Sequence, residues 1–82
     1  MTQVHRRLRL TFPPGPATEP VVYEITTRFG VVPNIRRAAI ADHSGWLVCD
    51  LGGDDGAVAE AIAWMESIGV AVSAVEGDIL EG

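Results

Sequence analysis

No lysine occurs among the 82 residues; the six cationic side chains are Arg6, Arg7, Arg9, Arg28, Arg36 and Arg37. That removes a phosphate-loop lysine and a Schiff-base lysine from the available chemistry, although exclusive use of arginine also fits a GC-rich coding sequence. The single cysteine, Cys49, excludes an internal disulfide framework and any cysteine-rich metal or iron–sulfur site. A lone thiol agrees with a reducing, cytoplasmic setting. No apolar run approaches the roughly 20 residues needed to span a bilayer, so direct membrane insertion is not expected. The opening "MTQVHRRLRLTF" alternates instead of building the apolar stretch of a signal peptide. A net charge of −5 argues against non-specific binding to nucleic acid or anionic lipid.

The length is that of one domain, here read as residues 1–82, with a core over about 4–75 and a C-terminal tail over 76–82. A chain of this size buries only about 60–65% of its unfolded surface and gains from a partner, so self-association, as a homodimer, is expected. Residues 4–12 alternate, with Val4, Leu8, Leu10 and Phe12 on one face and His5, Arg7, Arg9 and Thr11 on the other. Period two over this length reads as a half-buried strand, and Arg6 is its exception. The proline-rich "PPGPATEP" is a loop, after which Thr18 or Glu19 can cap a helix that places Pro20 in its first turn. Val21, Val22, Ile25 and Phe29 recur at helical spacing, and Gly30 ends that helix.

Val31–Ile40 is extended, because the residue before Pro33 is pushed out of the helical region. The polar "ADHSG" turns the chain into a second extended run, Trp46–Leu51, and the two runs read as a hairpin. "GGDDG" ends that hairpin, with Asp54 or Asp55 capping a second helix whose stripe is Val58, Ala61, Ile62, Met65 and Ile68. Gly69 stops it, and Val70–Val75 is a fourth strand. The order β-α-β-β-α-β specifies an α+β, ferredoxin-like split βαβ sandwich: a four-stranded antiparallel sheet with two helices on one face.

If the helices cover Leu8, Leu10, Phe12, Leu47, Cys49 and Leu51, the opposite face collects Arg7, Arg9, Trp46, Val48 and one parity of Ile35–Ile40. Such a face is either ordinary strand alternation with solvated arginines or a surface for a dimer partner or ligand. An RNA-binding sheet lacks its stacking aromatics here, and no nucleic-acid partner is expected. Asn34 either shapes the backbone after Pro33 or offers an amide donor and acceptor to the polar end of an amino acid. Arg36 and Arg37 should point to opposite sides of their strand, so that only one reaches a carboxylate.

His5 and His43 have no spaced metal partner, and Asp42-His43 reads as turn chemistry. Cys49 falls on the core parity, where it acts as a small hydrophobe and not as a reactive thiolate. Trp64 packs beside the helix stripe. No serine has a base and an orienting partner, no catalytic constellation forms and no cofactor is implied, so a non-enzymatic role is expected.

Taken together, "RLTF" before a proline-bearing loop, "EPVVYEI" opening a helix, "VVPNI", "GWLVCDLGG" and a helix ending in "IGVAV" resemble the NIL domain over about residues 7–75. NIL domains stand at the C-terminus of the ATPase subunit of bacterial methionine importers, pair as dimers and bind methionine to restrain transport; they are also found joined to iron–sulfur ferredoxin domains and as short free proteins. The resemblance implies a regulatory domain that senses methionine or a related sulfur-containing amino acid. Its alternative is an interaction subunit docking on a transporter ATPase or a sulfur-metabolism enzyme. It carries Asn34 over as the ligand-contacting residue and Ile35 as its apolar neighbour. Arg36, also assigned to the ligand region, stands where the family favours leucine. The "DHSG" turn is compact for the family, and neither a Walker A loop nor a cysteine cluster is present, as in a free-standing NIL protein.

Overall fold

A computed structural model describes residues 2–13, 18–41 and 44–75. The elements run β1 (Gln3–Phe12), α1 (Thr18–Phe29), β2 (Val32–Ala41), β3 (Ser44–Asp54), α2 (Asp55–Ser67) and β4 (Ala71–Ala74). The sheet has the order β2-β3-β1-β4, and all of its neighbours are antiparallel. This is the expected ferredoxin-like sandwich. β3 and β1 are its central strands, and the two chain crossovers carry the helices.

The alternation in β1 translates directly into burial. Leu8, Leu10 and Phe12 are buried and meet Cys49, Leu47 and Gly45 across the ladder to β3. Val21 and Ile25 of α1 and Val58, Ala61 and Met65 of α2 close over them. Val22, Phe29, Ile62 and Trp64 pack at the margin, and the Phe29 and Trp64 rings lie 6.1 Å apart. Ile68, assigned to the stripe from its spacing, is instead 38% exposed. The helix has already ended at Ser67, so residue 68 no longer follows the helical phase.

Both helix ends have identifiable chemistry. Asp54 is the N-cap of α2, its carboxylate accepting a hydrogen bond from the Gly56 amide at 3.1 Å. At the other end the Val70 amide donates to Met65 and the Gly69 amide to Glu66, the paired bonds of a Schellman motif, with Gly69 at φ +99°. Gly30 takes φ +70° after α1 and donates to the Thr26 carbonyl. The side chains of Thr18 and Glu19, the Asp42-His43 turn and the tail over 76–82 lie outside the described residues.

Two expectations about the hairpin are corrected. β3 does not end at "GGDDG" but continues through Gly52 and Gly53 to Asp54, pairing Val4 with Gly53 and Gln3 with Asp54. Gly52 suits this path because a Cβ there would stand 2.9 Å from the His5 ring. In β2, Ile35 pairs with Cys49 and Arg37 with Val48, which leaves Arg36 as the extra residue of a β-bulge. An unbroken ladder would have set Arg37 against Leu47 on the helix-covered face. The bulge places Ala38 there and keeps Arg37 on the uncovered face.

Candidate functional site

The uncovered face of the sheet is built from the other parity of the same strands. Cross-strand pairing sets Arg7 opposite Asp50, Arg9 opposite Val48 and Thr11 opposite Trp46. On the far side of β3, Asn34 faces Asp50, Arg37 faces Val48 and Ala39 faces Trp46. The expected interface residues Arg7, Arg9, Trp46 and Val48 therefore share one surface.

Asp50 is the centre of its polar network. Arg7 grips it with both arms, Nε donating to Oδ1 at 2.6 Å and Nη2 to Oδ2 at 3.1 Å, while Arg36 Nη1 donates to Oδ2 at 3.2 Å. The Arg7 hydrogen bonds, with the charges of Arg7 and Arg36, hold the Asp50 carboxyl below the usual carboxylate range despite partial burial. Two arginines thus fasten three strands through one carboxylate. Spacing alone did not single out Asp50; its signal was its shared parity with Trp46 and Val48. Arg36 and Arg37 do not point to opposite sides as regular alternation required. The bulge breaks the alternation, Arg36 reaches Asp50, and Arg37 lies opposite Val48 on the same face. Next to this network Arg9 stacks over Trp46, its guanidinium carbon 4.6 Å from the ring centroid.

An open depression of about 590 Å³ begins where this network ends. Its walls include Gln3, His5, Asn34, Asp50 and Asp54, with Phe29, Val32 and Pro33 as apolar surface. Of the three expected ligand residues, only Asn34 lines it. Ile35 is 49% exposed and pairs with Cys49, and Arg36 contributes by bonding Asp50. Gly52 and Gly53 form part of the floor, and this is what the run of glycines at the end of β3 provides: backbone without side chains to fill the space. Gln3 and His5 were not assigned to a binding site from sequence, since they are 29 or more residues from Asn34 and only the β1–β3–β2 order brings them together.

Cys49 is fully buried, and burial, followed by the Asp50 charge, pushes its thiol up to about 11. It is a packing residue, as expected. Among the described residues no group of three or more His, Cys, Asp or Glu side chains could hold a metal ion, and no helix is long and apolar enough to cross a membrane.

A search of curated proteins found no match. Among solved structures, the chain is similar to the crystal structure of the C-terminal domain of an ABC transporter ATP-binding protein from Enterococcus faecalis, with a TM-score of 0.78 and 21% sequence identity over 88% of this chain and 84% of that one. At that identity the likeness shows the fold. The sequence pattern of the NIL domain matches residues 6–74, which contain the whole sheet network, Asn34 and the bulge. The chain belongs to the NIL domain family.

Proposed function

We propose that this NIL domain is a non-enzymatic regulatory domain that binds methionine or a related sulfur-containing amino acid, acting as a dimer in a cytoplasmic setting and as one domain over residues 1–82. The observation that carries the reading is the position of Asn34 on the wall of the depression, with its amide among both acidic and apolar neighbours. Asn34 and Gln3 supply donors for an α-carboxylate, Asp54 supplies negative charge for an α-ammonium, and Val32, Pro33 and Phe29 supply surface for a thioether chain. Arg36 acts through Asp50, and Ile35 borders the site on β2. The similarity to an ABC transporter domain supports a role in regulating transport.

Titration calorimetry with methionine, homocysteine and cysteine tests the reading. Binding of one of them, weakened by Asn34→Ala at least as strongly as one lost polar contact implies, about tenfold, is the expected result. Absence of heat at millimolar ligand with folded protein would overturn it.

A second reading has its own support, the concentration of positive charge on the uncovered face. In it the chain docks through Arg7, Arg9, Trp46 and Val48 onto a transporter ATPase or a sulfur-metabolism enzyme. Recovery of such a partner should be lost on Trp46→Ala or Arg9→Glu, with the circular dichroism spectrum unchanged.

A further inference from the structure

We propose that His5 is a third polar contact for the ligand's α-carboxylate, and that residue 52 is a glycine in order to seat the His5 ring. The inference rests on the sulfur-amino-acid reading above and adds a specificity-determining pair to the same depression.

Three rows of cross-strand partners cross the depression on the uncovered face. Gln3 pairs with Asp54 in the first, Gly52 stands between His5 and Val32 in the second, and Asp50 pairs with Asn34 in the third. Successive rows on one face are about 6.8 Å apart and neighbouring strands about 4.8 Å. Gln3 and Asn34, the two amides assigned to the carboxylate, therefore flank the middle row from either side. A carboxylate shared between them sits over Gly52, and His5 is the polar side chain of that row.

The ring is already turned toward this place. A Cβ at Gly52 would stand 2.9 Å from both Nδ1 and Cε1 of His5, and the next nearest atom, the Val4 carbonyl oxygen, is 3.8 Å away. The imidazole thus leans over β3 and meets Gly52 by its Nδ1–Cε1 edge, with Nε2 on the outer side. Backbone conformation does not explain this glycine. Gly53 has φ +154°, whereas Gly52 is not among the glycines of positive φ. What residue 52 supplies is space, and the ring occupies it.

Among the described residues no hydrogen bond within the protein engages the His5 ring or the side-chain amides of Gln3 and Asn34. Asp50 and Asp54, by contrast, already accept from Arg7, Arg36 and the Gly56 amide. Three unengaged polar groups converging beside Phe29, Val32 and Pro33 form the mixed lining of a small-molecule site. An imidazole N–H donates as the amides do, and its bond to a charged carboxylate is stronger than one to a neutral carboxamide.

Calorimetry on the full chain with methionine, homocysteine and cysteine, each beside its carboxamide, tests the assignment. The wild type should prefer the free carboxylate by about tenfold or more. His5→Phe should weaken the carboxylate form about tenfold and change the carboxamide form less than about twofold. His5→Gln, which keeps an N–H at the distance of Nε2, should retain most of the affinity. Gly52→Ala, checked for folding by circular dichroism, should weaken binding more in the wild type than in His5→Ala, where the ring it crowds is gone. Equal losses in those two backgrounds would overturn the pairing of Gly52 with His5. Equal losses of carboxylate and carboxamide in His5→Phe would make His5 a packing residue and overturn its contact with the carboxylate. Binding weakened by Asn34→Ala but untouched by His5→Phe would overturn the inference and leave the reading intact. Absence of heat with all three amino acids would overturn both together.

Discussion

Alternate residues of β1 and β3 build two surfaces of opposite character from the same backbone. Toward the helices point Leu8, Leu10, Phe12, Leu47, Cys49 and Leu51, all buried. Away from them point Arg7, Arg9, Trp46, Val48 and Asp50, arranged as a bidentate ion pair and a cation–π stack. The covered side gains its energy from area removed from water, which is additive and insensitive to direction. The open side has little area to bury by itself. Its contacts are directional, so it contributes mainly register and a defined pattern of charge.

That division sets the order of effects when each side is damaged. Leu10 has no exposed surface, and Leu10→Ala should cost about 2–5 kcal/mol, a lowering of the melting temperature by about 8 °C or more on the usual scale of about 4–8 °C per kcal/mol. Val48→Ala, the corresponding truncation at the half-buried position opposite Arg9, should cost under about 1 kcal/mol in the same thermal melt. Comparable losses at the two positions would mean that a partner or second copy covers the open face in solution.

Asp50 is the exception that sharpens the comparison, an open-face residue with more than a surface role. Asp50→Asn removes the carboxylate charge and one of the two acceptor oxygens that Arg7 and Arg36 share, and should cost about 1–3 kcal/mol in urea denaturation at pH 7. The sign with pH is fixed by the depressed carboxyl. Its stabilisation is present above the ordinary aspartate pKa of about 4 and is lost as pH falls through the lower value of the folded state. The wild-type urea midpoint should therefore fall below about pH 4 more steeply than that of Asp50→Asn. Parallel curves would show that the two arginines do not stabilise the charged form.

The two sides also differ in how far the sequence revealed them. Period-two spacing identified the buried set in β1 and β3, and helical spacing identified Val21, Ile25, Val58, Ala61 and Met65, because burial imposes a period on the residues themselves. It overreached at Ile68, where the helix had already ended. On the open side the same parity grouped Arg7, Arg9, Trp46 and Val48, yet it set Arg36 and Arg37 on opposite sides, since a bulge has no signature in alternation until the partner strand is known. The central part of Asp50 was hidden for a related reason. Its partners are 43 and 14 residues away, and only the strand order makes them neighbours. The depression needed the same order to bring Gln3 and His5 to Asn34, whereas Asn34 itself was legible through the family motif.

The smallest expected effect tests whether the open face is organised before any partner arrives. Arg9 over Trp46 at 4.6 Å is solvent-accessible, so the pair should be worth only about 0.5–1 kcal/mol. Arg9→Ala and Trp46→Leu each change several contacts, and neither alone isolates the stack. A double-mutant cycle on urea stability removes those other terms and should return a coupling within that range, slightly larger at low salt. A coupling indistinguishable from zero would mean that the stack is not held in solution. A coupling near the upper value makes Arg9 pre-positioned on an indole platform, with part of its side-chain entropy already lost.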